Sequence, residues 1–268
     1  MGEQRAVDAA TVVLVRDALD GGGLEVLLLE RHLDSDFAGG ALVFPGGKVD
    51  ERDGHLDPAR WRGADLDRWA AAMGTDPIGA LGLLVAAVRE TFEESGVLLA
   101  SRPDGSPVTS DDLAADDAVE IRRGLAARDE DVDWRPWLDA NGYVLDLGEL
   151  GFWSWWVTPE GQHRRFDTRF LLATVPPGQV AQHDAQEITA MRWIRPADAL
   201  RAQAAGEATV IYPTRCNLAA LDRYRDVAGV QRATAAGEVD QRRIQPTVVT
   251  VQGRPMVQHP DGGPPEPV

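Results

Sequence analysis

An apolar run that ends in a short charged motif constrains this chain more than any other feature. Residues 81–88 read Leu-Gly-Leu-Leu-Val-Ala-Ala-Val, and Arg-Glu-Thr-Phe-Glu-Glu-Ser-Gly follows from Arg89 to Gly96. The apolar run is long enough for a buried helix, and a glycine directly after the charged motif is typical of a left-handed helix cap. The sequence therefore predicts one helix that is buried at first and carries charge in its last turns.

Three glutamates of the charged motif fall on one face of this helix. Glu90, Glu93 and Glu94 are spaced i, i+3 and i+4, so their carboxylates share about one turn. Like charges so placed repel, and a hard divalent cation such as Mg²⁺ would relieve that repulsion. A solvated acidic face on an ordinary helix is the alternative. Arg89 favours a site, because it could hold one carboxylate through a charge-assisted hydrogen bond.

A second motif lies upstream, in Phe44-Pro-Gly-Gly-Lys-Val-Asp50, where a strand is expected to run into a tight Gly-Gly turn. Together the two motifs resemble the Nudix box. That box consists of Gly, five residues, Glu, seven residues and Arg-Glu-U-X-Glu-Glu-X-Gly-U, with U a bulky aliphatic residue. Gly47 matches the first glycine, and residues 89–97 match the second half.

The chain departs from the box at three points. Asp53 replaces the first Glu, Thr91 replaces an aliphatic residue, and residues 54–88 stand where the box has seven residues. The peroxisomal-type coenzyme A diphosphatases carry such an insertion. Arg164-Arg-Phe-Asp-Thr-Arg-Phe170 and Trp156-Val-Thr-Pro159 are also similar to that branch.

A further motif of coenzyme A-specific Nudix enzymes is matched only in part. Leu28-Leu29, Arg31, Gly40 and Phe44–Gly47 are compatible with it, but Asp36 occupies the place of its second arginine. An acidic residue there would repel the 3′-phosphate of coenzyme A. The motif therefore leaves coenzyme A specificity open.

The resemblance implies an α/β fold, namely a Nudix α/β/α sandwich with a mixed central sheet and helical insertions. It also implies hydrolysis of a diphosphate bond in a nucleoside diphosphate derivative, either coenzyme A or an acyl-coenzyme A, with NADH or ADP-ribose as the alternative. Mg²⁺ or Mn²⁺ would be held by Glu90, Glu93 and Glu94, and Arg89 would orient Glu90. The general base stays open between Glu90 and Glu187. The backbone of Gly46 and Gly47 would help to hold metal or phosphate.

Substrate contacts are predicted on a strand that begins at Arg164. Arg164 and Arg165 are the first candidates for the diphosphate, because a planar guanidinium binds two phosphate oxygens at once. Arg31 is a further candidate. Trp156 belongs to Phe152-Trp-Ser-Trp-Trp-Val157. This segment is either a buried strand or the source of one ring, of Trp153, Trp155 or Trp156, that stacks on a nucleobase.

Composition limits the partners. The chain has 268 residues and a net charge of −16, which opposes binding to nucleic acid or to anionic membranes. The single cysteine, Cys216, excludes an intrachain disulfide and fits a reducing compartment. No run reaches transmembrane length, and the C-terminus Pro-Glu-Pro-Val is not a peroxisomal targeting tripeptide. We therefore expect a cytoplasmic protein with a small-molecule substrate that could form a homodimer.

We expect a single elaborated domain over residues 1–258. Hairpins are predicted at 10–31 and 247–257, a separable insertion at about 54–78, and a helical insertion at about 110–140. Proline and glycine in residues 259–268 predict a disordered tail. Deletion of 57–76 is expected to leave a folded protein, since the standard box closes this gap with seven residues.

Two other classes remain as alternatives to a hydrolase. An isomerase of the isopentenyl diphosphate type needs a catalytic cysteine, and Cys216 lies far along the chain in an apolar context. A non-catalytic Nudix-fold ligand sensor usually loses box glutamates or carries a DNA-binding domain, whereas this chain keeps Glu90, Glu93 and Glu94.

Overall fold

The structure is a computed structural model that describes residues 5–31, 40–127, 132–182 and 188–267. Its helices are α1 (Leu66–Met73), α2 (Pro77–Ser95), α3 (Ser110–Leu113), α4 (Asp116–Ala126), α5 (Arg135–Asn141), α6 (Pro196–Ala204), α7 (Tyr212–Leu221) and α8 (Val227–Ala235). Its strands are β1 (Val7–Asp17), β2 (Leu24–Arg31), β3 (Ala41–Val43), β4 (Gly46–Lys48), β5 (Trp61–Arg62), β6 (Ala100–Ser101), β7 (Val144–Asp146), β8 (Gly151–Val157), β9 (Phe166–Thr174), β10 (Ile188–Ile194), β11 (Thr209–Val210), β12 (Arg243–Ile244), β13 (Thr247–Val251), β14 (Arg254–Gln258) and β15 (Glu266–Pro267).

The main sheet is mixed, as predicted. Its order is β11-β3-β2-β1-β9-β8-β12, with β4 paired to β1 and β10 paired to β2. β1 runs parallel to β9 and antiparallel to β2 and β4. The sheet therefore holds β4, which carries the Gly-Gly motif, and β9 on opposite edges of the same strand.

Helices cover both faces of this sheet because side chains alternate along its strands. Val12 and Leu14 of β1 join a core that contains most of α2, whereas Val13 and Val15 join a second core with α6, α7 and α8. The predicted α/β/α sandwich is confirmed. No single helix in the described ranges is long and apolar enough to cross a membrane. The α1–α2 pair would pass by length and composition alone, and it is bent by 88°.

The Gly-Gly motif differs from the predicted tight turn. Gly46–Lys48 form strand β4, with Gly46 opposite Thr11 and Lys48 opposite Ala9. The two backbones approach so closely that a Cβ at Gly46 would lie 2.5 Å from the carbonyl oxygen of Ala10. Glycine is needed here for this close approach within a strand pair.

The insertion after Asp53 is not separable from the domain, contrary to expectation. Met73 of α1 is fully buried in the core that contains α2, and Trp69 packs against the same core. Arg169 of β9 donates to the carbonyl oxygen of Met73 at 3.0 Å, and the Trp69 ring contacts the Phe152 ring edge-on. The α1 segment therefore completes the core over β8 and β9.

The helical insertion and the tail also differ in detail. Residues 110–126 form two helices, α3 and α4, because the chain is extended at Ala115 between them. In the tail, Glu266–Pro267 pair with β14 as strand β15, so the predicted disorder is wrong for the described part of 259–268. An ion pair from Arg215 to Glu266 and a ring contact between Trp156 and His259 hold this segment to the domain.

Candidate active site

Helix α2 has start and stop signals that fix which residues carry the charged motif. Asp76 caps its N-terminus by accepting from the amide of Gly79, and Pro77 occupies the first turn. Gly96 ends it with φ of 68°, and its amide donates to the carbonyl of Phe92. The predicted buried helix and its glycine cap are confirmed, and the last two turns present the glutamates.

The three glutamates lie at the junction of α2 and β4. The side chains of Glu90 and Glu93 are 12% and 16% exposed, and Glu94 is buried. The amide of Gly46 donates to Oε2 of Glu94 at 2.9 Å. A Cβ at Gly47 would lie 2.4 Å from Oε2 of Glu90, so only glycine admits that carboxylate beside the strand. The structure thus brings Gly46, Gly47, Glu90 and Glu94 together.

Arg89 connects the two halves of the motif. Its Nε and Nη2 donate to the carboxylate of Asp53 at 3.1 and 2.9 Å, and Nη2 also donates to the carbonyl of Lys48 at 2.8 Å. Its Nη1 donates to Oε1 of Glu90 at 2.8 Å and lies 3.6 Å from Oε2 of Glu93. The guanidinium therefore fixes Glu90 from one side while Asp53 holds the arginine from the other.

Charge and burial compete in this group. Burial alone would lower the pKa of Arg89, but the negative charges of Glu90 and Asp53 outweigh it and raise that pKa, so the guanidinium stays charged. Burial raises the pKa of Asp53, and the hydrogen bonds from Arg89 oppose the rise. The two groups thus stabilise each other's charged form inside the protein.

The departures from the box have local explanations. Asp53 lies in a short 3-10 helix, Glu51–His55, and its Oδ2 accepts from the amide of Asp50, which places the shorter carboxylate against Arg89. The chain leaves the site after Asp53 and returns to it at Arg89, so these two side chains are neighbours despite the 35 residues between them. Thr91 is fully buried in the aliphatic position because its hydroxyl donates to the carbonyl of Ala87 at 2.7 Å.

The donor set suits a hard divalent cation. Carboxylate oxygens in a partly buried cluster are the ligands that Mg²⁺ and Mn²⁺ prefer. Within the described ranges, no three Asp, Glu, His or Cys side chains yet stand close enough together to hold a metal ion. Glu90, Glu93 and Glu94 would therefore have to converge further on a bound ion, and their position on adjacent turns of α2 allows it.

The predicted substrate-binding residues are not all near this cluster. Arg164 is exposed and precedes β9, while Arg165 is buried and its Nε donates to the carbonyl of Thr158. Trp156 is 5% exposed in the core opposite α2, where it contacts the Tyr212 ring, so the stacking role is wrong for Trp156. Arg31 ends β2, but its side chain lies outside the described residues, as do Glu187 and Asp36.

Other contacts at the site escaped the sequence analysis. The carbonyl of Lys48 accepts from Arg89, and Arg122 of α4 donates to the carbonyl of Glu93. Neither contact leaves a signal in the sequence, because each joins a side chain to a backbone carbonyl that is distant in the chain. Only the pairing of β4 with β1 and the packing of α4 on α2 create them.

Comparison with known proteins decides the family. A family model described as the NUDT19 Nudix domain matches residues 57–221, which is more than half of the chain. The chain belongs to this Nudix family. The matched span contains Arg89, the three glutamates and residues 164–170. It begins after Gly47 and Asp53, so the assignment of those two residues rests on the contacts described above.

Individual relatives agree with the family. The chain is 31% identical over 214 residues to the acyl-coenzyme A diphosphatase NUDT19 of Gallus gallus, and 32% identical over 210 residues to that of Homo sapiens. Each match covers 66% of this chain and 55% of the relative, so the chain spans about half the length of these curated relatives. A Nudix hydrolase structure from Alicyclobacillus acidocaldarius is 29% identical, with a TM-score of 0.65 over 87% of this chain and 96% of that one.

Proposed function

We propose that this chain hydrolyses a diphosphate bond in coenzyme A or an acyl-coenzyme A and depends on Mg²⁺ or Mn²⁺. The observation that carries the proposal is the junction of α2 and β4, where Arg89 holds Glu90 beside Gly47 and the Gly46 amide holds Glu94. The names of the Gallus gallus and Homo sapiens relatives support the choice of substrate.

Different residues of the site have different roles in hydrolysis. Arg89 holds Glu90 in one orientation through a charge-assisted hydrogen bond, so the carboxylate needs little reorganisation when substrate binds. Glu90 is one candidate to take the proton of the attacking water, and Glu187 is the other. Gly46 and Gly47 keep Cβ atoms out of the space beside the carboxylates, where the phosphate oxygens would approach.

A divalent cation supplies the remaining electrostatics. When bound by Glu90, Glu93 and Glu94, it would offset charge on the phosphate oxygens and lower the pKa of a water molecule. The cluster's own positive charge comes from Arg89, which Asp53 and Glu90 already engage. A cation from solution is therefore the natural counter-charge for a substrate that is itself anionic.

Coenzyme A carries a 3′-phosphate that NADH and ADP-ribose lack, and this phosphate needs a cationic partner. Arg164 is exposed to solvent and can be reached by a substrate, whereas Arg165 is buried. We propose that Arg164 contacts the 3′-phosphate. NADH or ADP-ribose is the alternative substrate if this contact is absent. Arg165→Ala is unsuitable as a test because the side chain is buried.

The test is a substrate panel read by product mass. Coenzyme A, acetyl-coenzyme A, dephospho-coenzyme A, NADH and ADP-ribose are each incubated with Mg²⁺ and with Mn²⁺. We expect 3′,5′-ADP and 4′-phosphopantetheine from coenzyme A, and a kcat/KM ratio of coenzyme A to dephospho-coenzyme A well above one that falls in Arg164→Ala. A ratio near one would remove the 3′-phosphate claim, and no hydrolysis of any compound would favour a ligand sensor.

A further inference from the structure

The C-terminal end of α2 combines the negative end of the helix dipole with acidic side chains. A helix C-terminus carries partial negative charge, and acidic residues there are destabilising. Glu93 and Glu94 lie in the last turn of α2, and that turn contains no basic residue. Arg89 on the preceding turn lies 3.6 Å from the Glu93 carboxylate, but the terminal carbonyl groups of α2 still need donors from another element.

Arg122 of α4 supplies donors and a positive charge. Its Nε donates to the carbonyl of Glu93 at 3.0 Å, and its Nη2 donates to the carbonyl of Gln182 at 2.5 Å. A Cβ at Gly96 would lie 2.8 Å from Nη1 of Arg122, so the guanidinium sits directly against the helix cap. The helical insertion therefore provides the positive charge that the last turn of α2 lacks.

The same arginine ties α2 to the segment that follows β9. The amide of Gln182 donates to the carbonyl of Ser95, and the side chain of buried Gln179 bonds to both the amide and the carbonyl of Leu98. Arg122 completes this set by bridging the carbonyls of Glu93 and Gln182. Three chain segments that are distant in sequence thus meet at the end of the glutamate helix.

We propose that Arg122 is a positioning residue for the active site. It acts through the backbone of Glu93 and fixes the orientation of Glu93 and Glu94 toward a bound cation. The proposal rests on the proposed function, since it assigns these glutamates to a metal. The planar guanidinium suits the role because it donates to two carbonyl groups in fixed directions, which a lysine ammonium does less well.

Removal of the Arg122 side chain has two opposite effects on Mn²⁺ affinity. The sign of the net change separates an electrostatic role from a positioning role. If Arg122 acted by charge alone, Arg122→Ala would leave the site more negative and Mn²⁺ would bind more tightly. If Arg122 positions the glutamates, Mn²⁺ should bind more weakly because the ligands are no longer held in place. We infer that positioning dominates, since Arg122 donates to the backbone carbonyls of Glu93 and Gln182 at the end of α2.

The experiment compares Arg122→Ala, Arg122→Lys and Arg123→Ala with wild type. Arg123 is the matched control, because it is the next residue of α4 and is exposed, and its replacement by alanine removes the same charge. Mn²⁺ affinity is measured by electron paramagnetic resonance, kcat and KM with the best substrate of the panel, and hydrogen exchange by mass spectrometry on peptides that cover 93–98.

In Arg122→Ala we expect the Mn²⁺ Kd to rise and kcat to fall, each by about tenfold, as for other residues that orient metal ligands, with KM little changed. Exchange at 96–98 should accelerate. Arg122→Lys should recover part of each loss, and Arg123→Ala should match wild type. If Arg122→Ala fails to fold, Arg122→Lys alone decides, since wild-type values in that variant would overturn the proposal.

Tighter Mn²⁺ binding in Arg122→Ala, or identical behaviour of the Arg122→Ala and Arg123→Ala variants, would also overturn it. Failure of the proposed function gives a different pattern. In that case wild type hydrolyses none of the panel, while Mn²⁺ binding and hydrogen exchange still report on Arg122. If wild type binds no Mn²⁺, the exchange rates at 96–98 decide whether Arg122 fixes the end of α2.

Discussion

Asp53 and Arg89 are 36 positions apart in the chain, yet two nitrogens of the Arg89 guanidinium donate to the two oxygens of the Asp53 carboxylate. Asp53 is 3% exposed and the Arg89 side chain is 12% exposed, so this ion pair lies inside the protein. The pair joins the short helix after β4 to the glutamate helix α2. It closes the motif across the long insertion as a seven-residue connection would.

Removing the charge of Asp53 should therefore destabilise the fold. Asp53→Asn leaves the Arg89 charge buried with Glu90 and, at 3.6 Å, Glu93 as its carboxylate neighbours. We expect a loss of about 3 kcal/mol in the free energy of unfolding, at the low end for a broken buried ion pair. Urea denaturation measures it. Asp57→Asn, at an exposed helix cap, is the control, and an equal effect in both variants would mean that the pair contributes no special stability.

Glu94→Gln should abolish most turnover without loss of the fold. Glutamine keeps an oxygen that can accept from the Gly46 amide but cannot provide an anionic metal ligand. We expect kcat to fall by roughly 100-fold or more. Thermal melting is the control, because Mn²⁺ should raise the Tm of wild type more than that of the variant. Near-wild-type turnover would rule out Glu94 as a ligand.

The contribution of Asp50 to the free energy of unfolding should decrease as the pH falls. A hydrogen bond from Arg52 lowers the pKa of Asp50 from 3.8 to about 2, against the opposing effect of burial. A depressed carboxyl pKa stabilises the fold above 3.8, and this contribution is lost as pH falls toward 2. Asp50→Asn keeps a capping side chain and removes the charge.

Asp50 is 39% exposed, so solvent screening limits the difference at pH 6 to about 1 kcal/mol or less. Wild type and Asp50→Asn should converge in stability at about pH 2. Urea denaturation over this pH range measures the difference. Arg52→Gln should show the same convergence, and a difference that stays constant with pH would contradict the assignment.

The insertion should be essential to the core. Met73 of α1 is fully buried, so Met73→Ala should cost about 2–5 kcal/mol from lost burial and the cavity left behind. Arg68→Ala on the same helix is the surface control. Deletion of residues 57–76 should give insoluble protein, because it removes Met73 and Trp69 together. A soluble and folded deletion variant would restore the view of a separable insertion.

The sequence alone determined the local features. The apolar run and the motif from Arg89 to Gly96 predicted helix α2, its glycine cap and the common face of Glu90, Glu93 and Glu94, because helix periodicity and capping are set by residues within a few positions. The hairpins at 7–31 and 247–258 followed from local turn and strand signals. The resemblance to the Nudix box also gave the sandwich fold.

Only the tertiary structure decided which distant residues meet. It placed Asp53 on Arg89 across the insertion, Arg122 on the carbonyl of Glu93, and Met73 inside the core. It also placed Trp156 on the face of β8 away from α2, where local pattern could not tell a buried ring from a stacking one. These contacts join segments that lie far apart in the chain, and they depend on strand pairing and helix packing that no short stretch of sequence encodes.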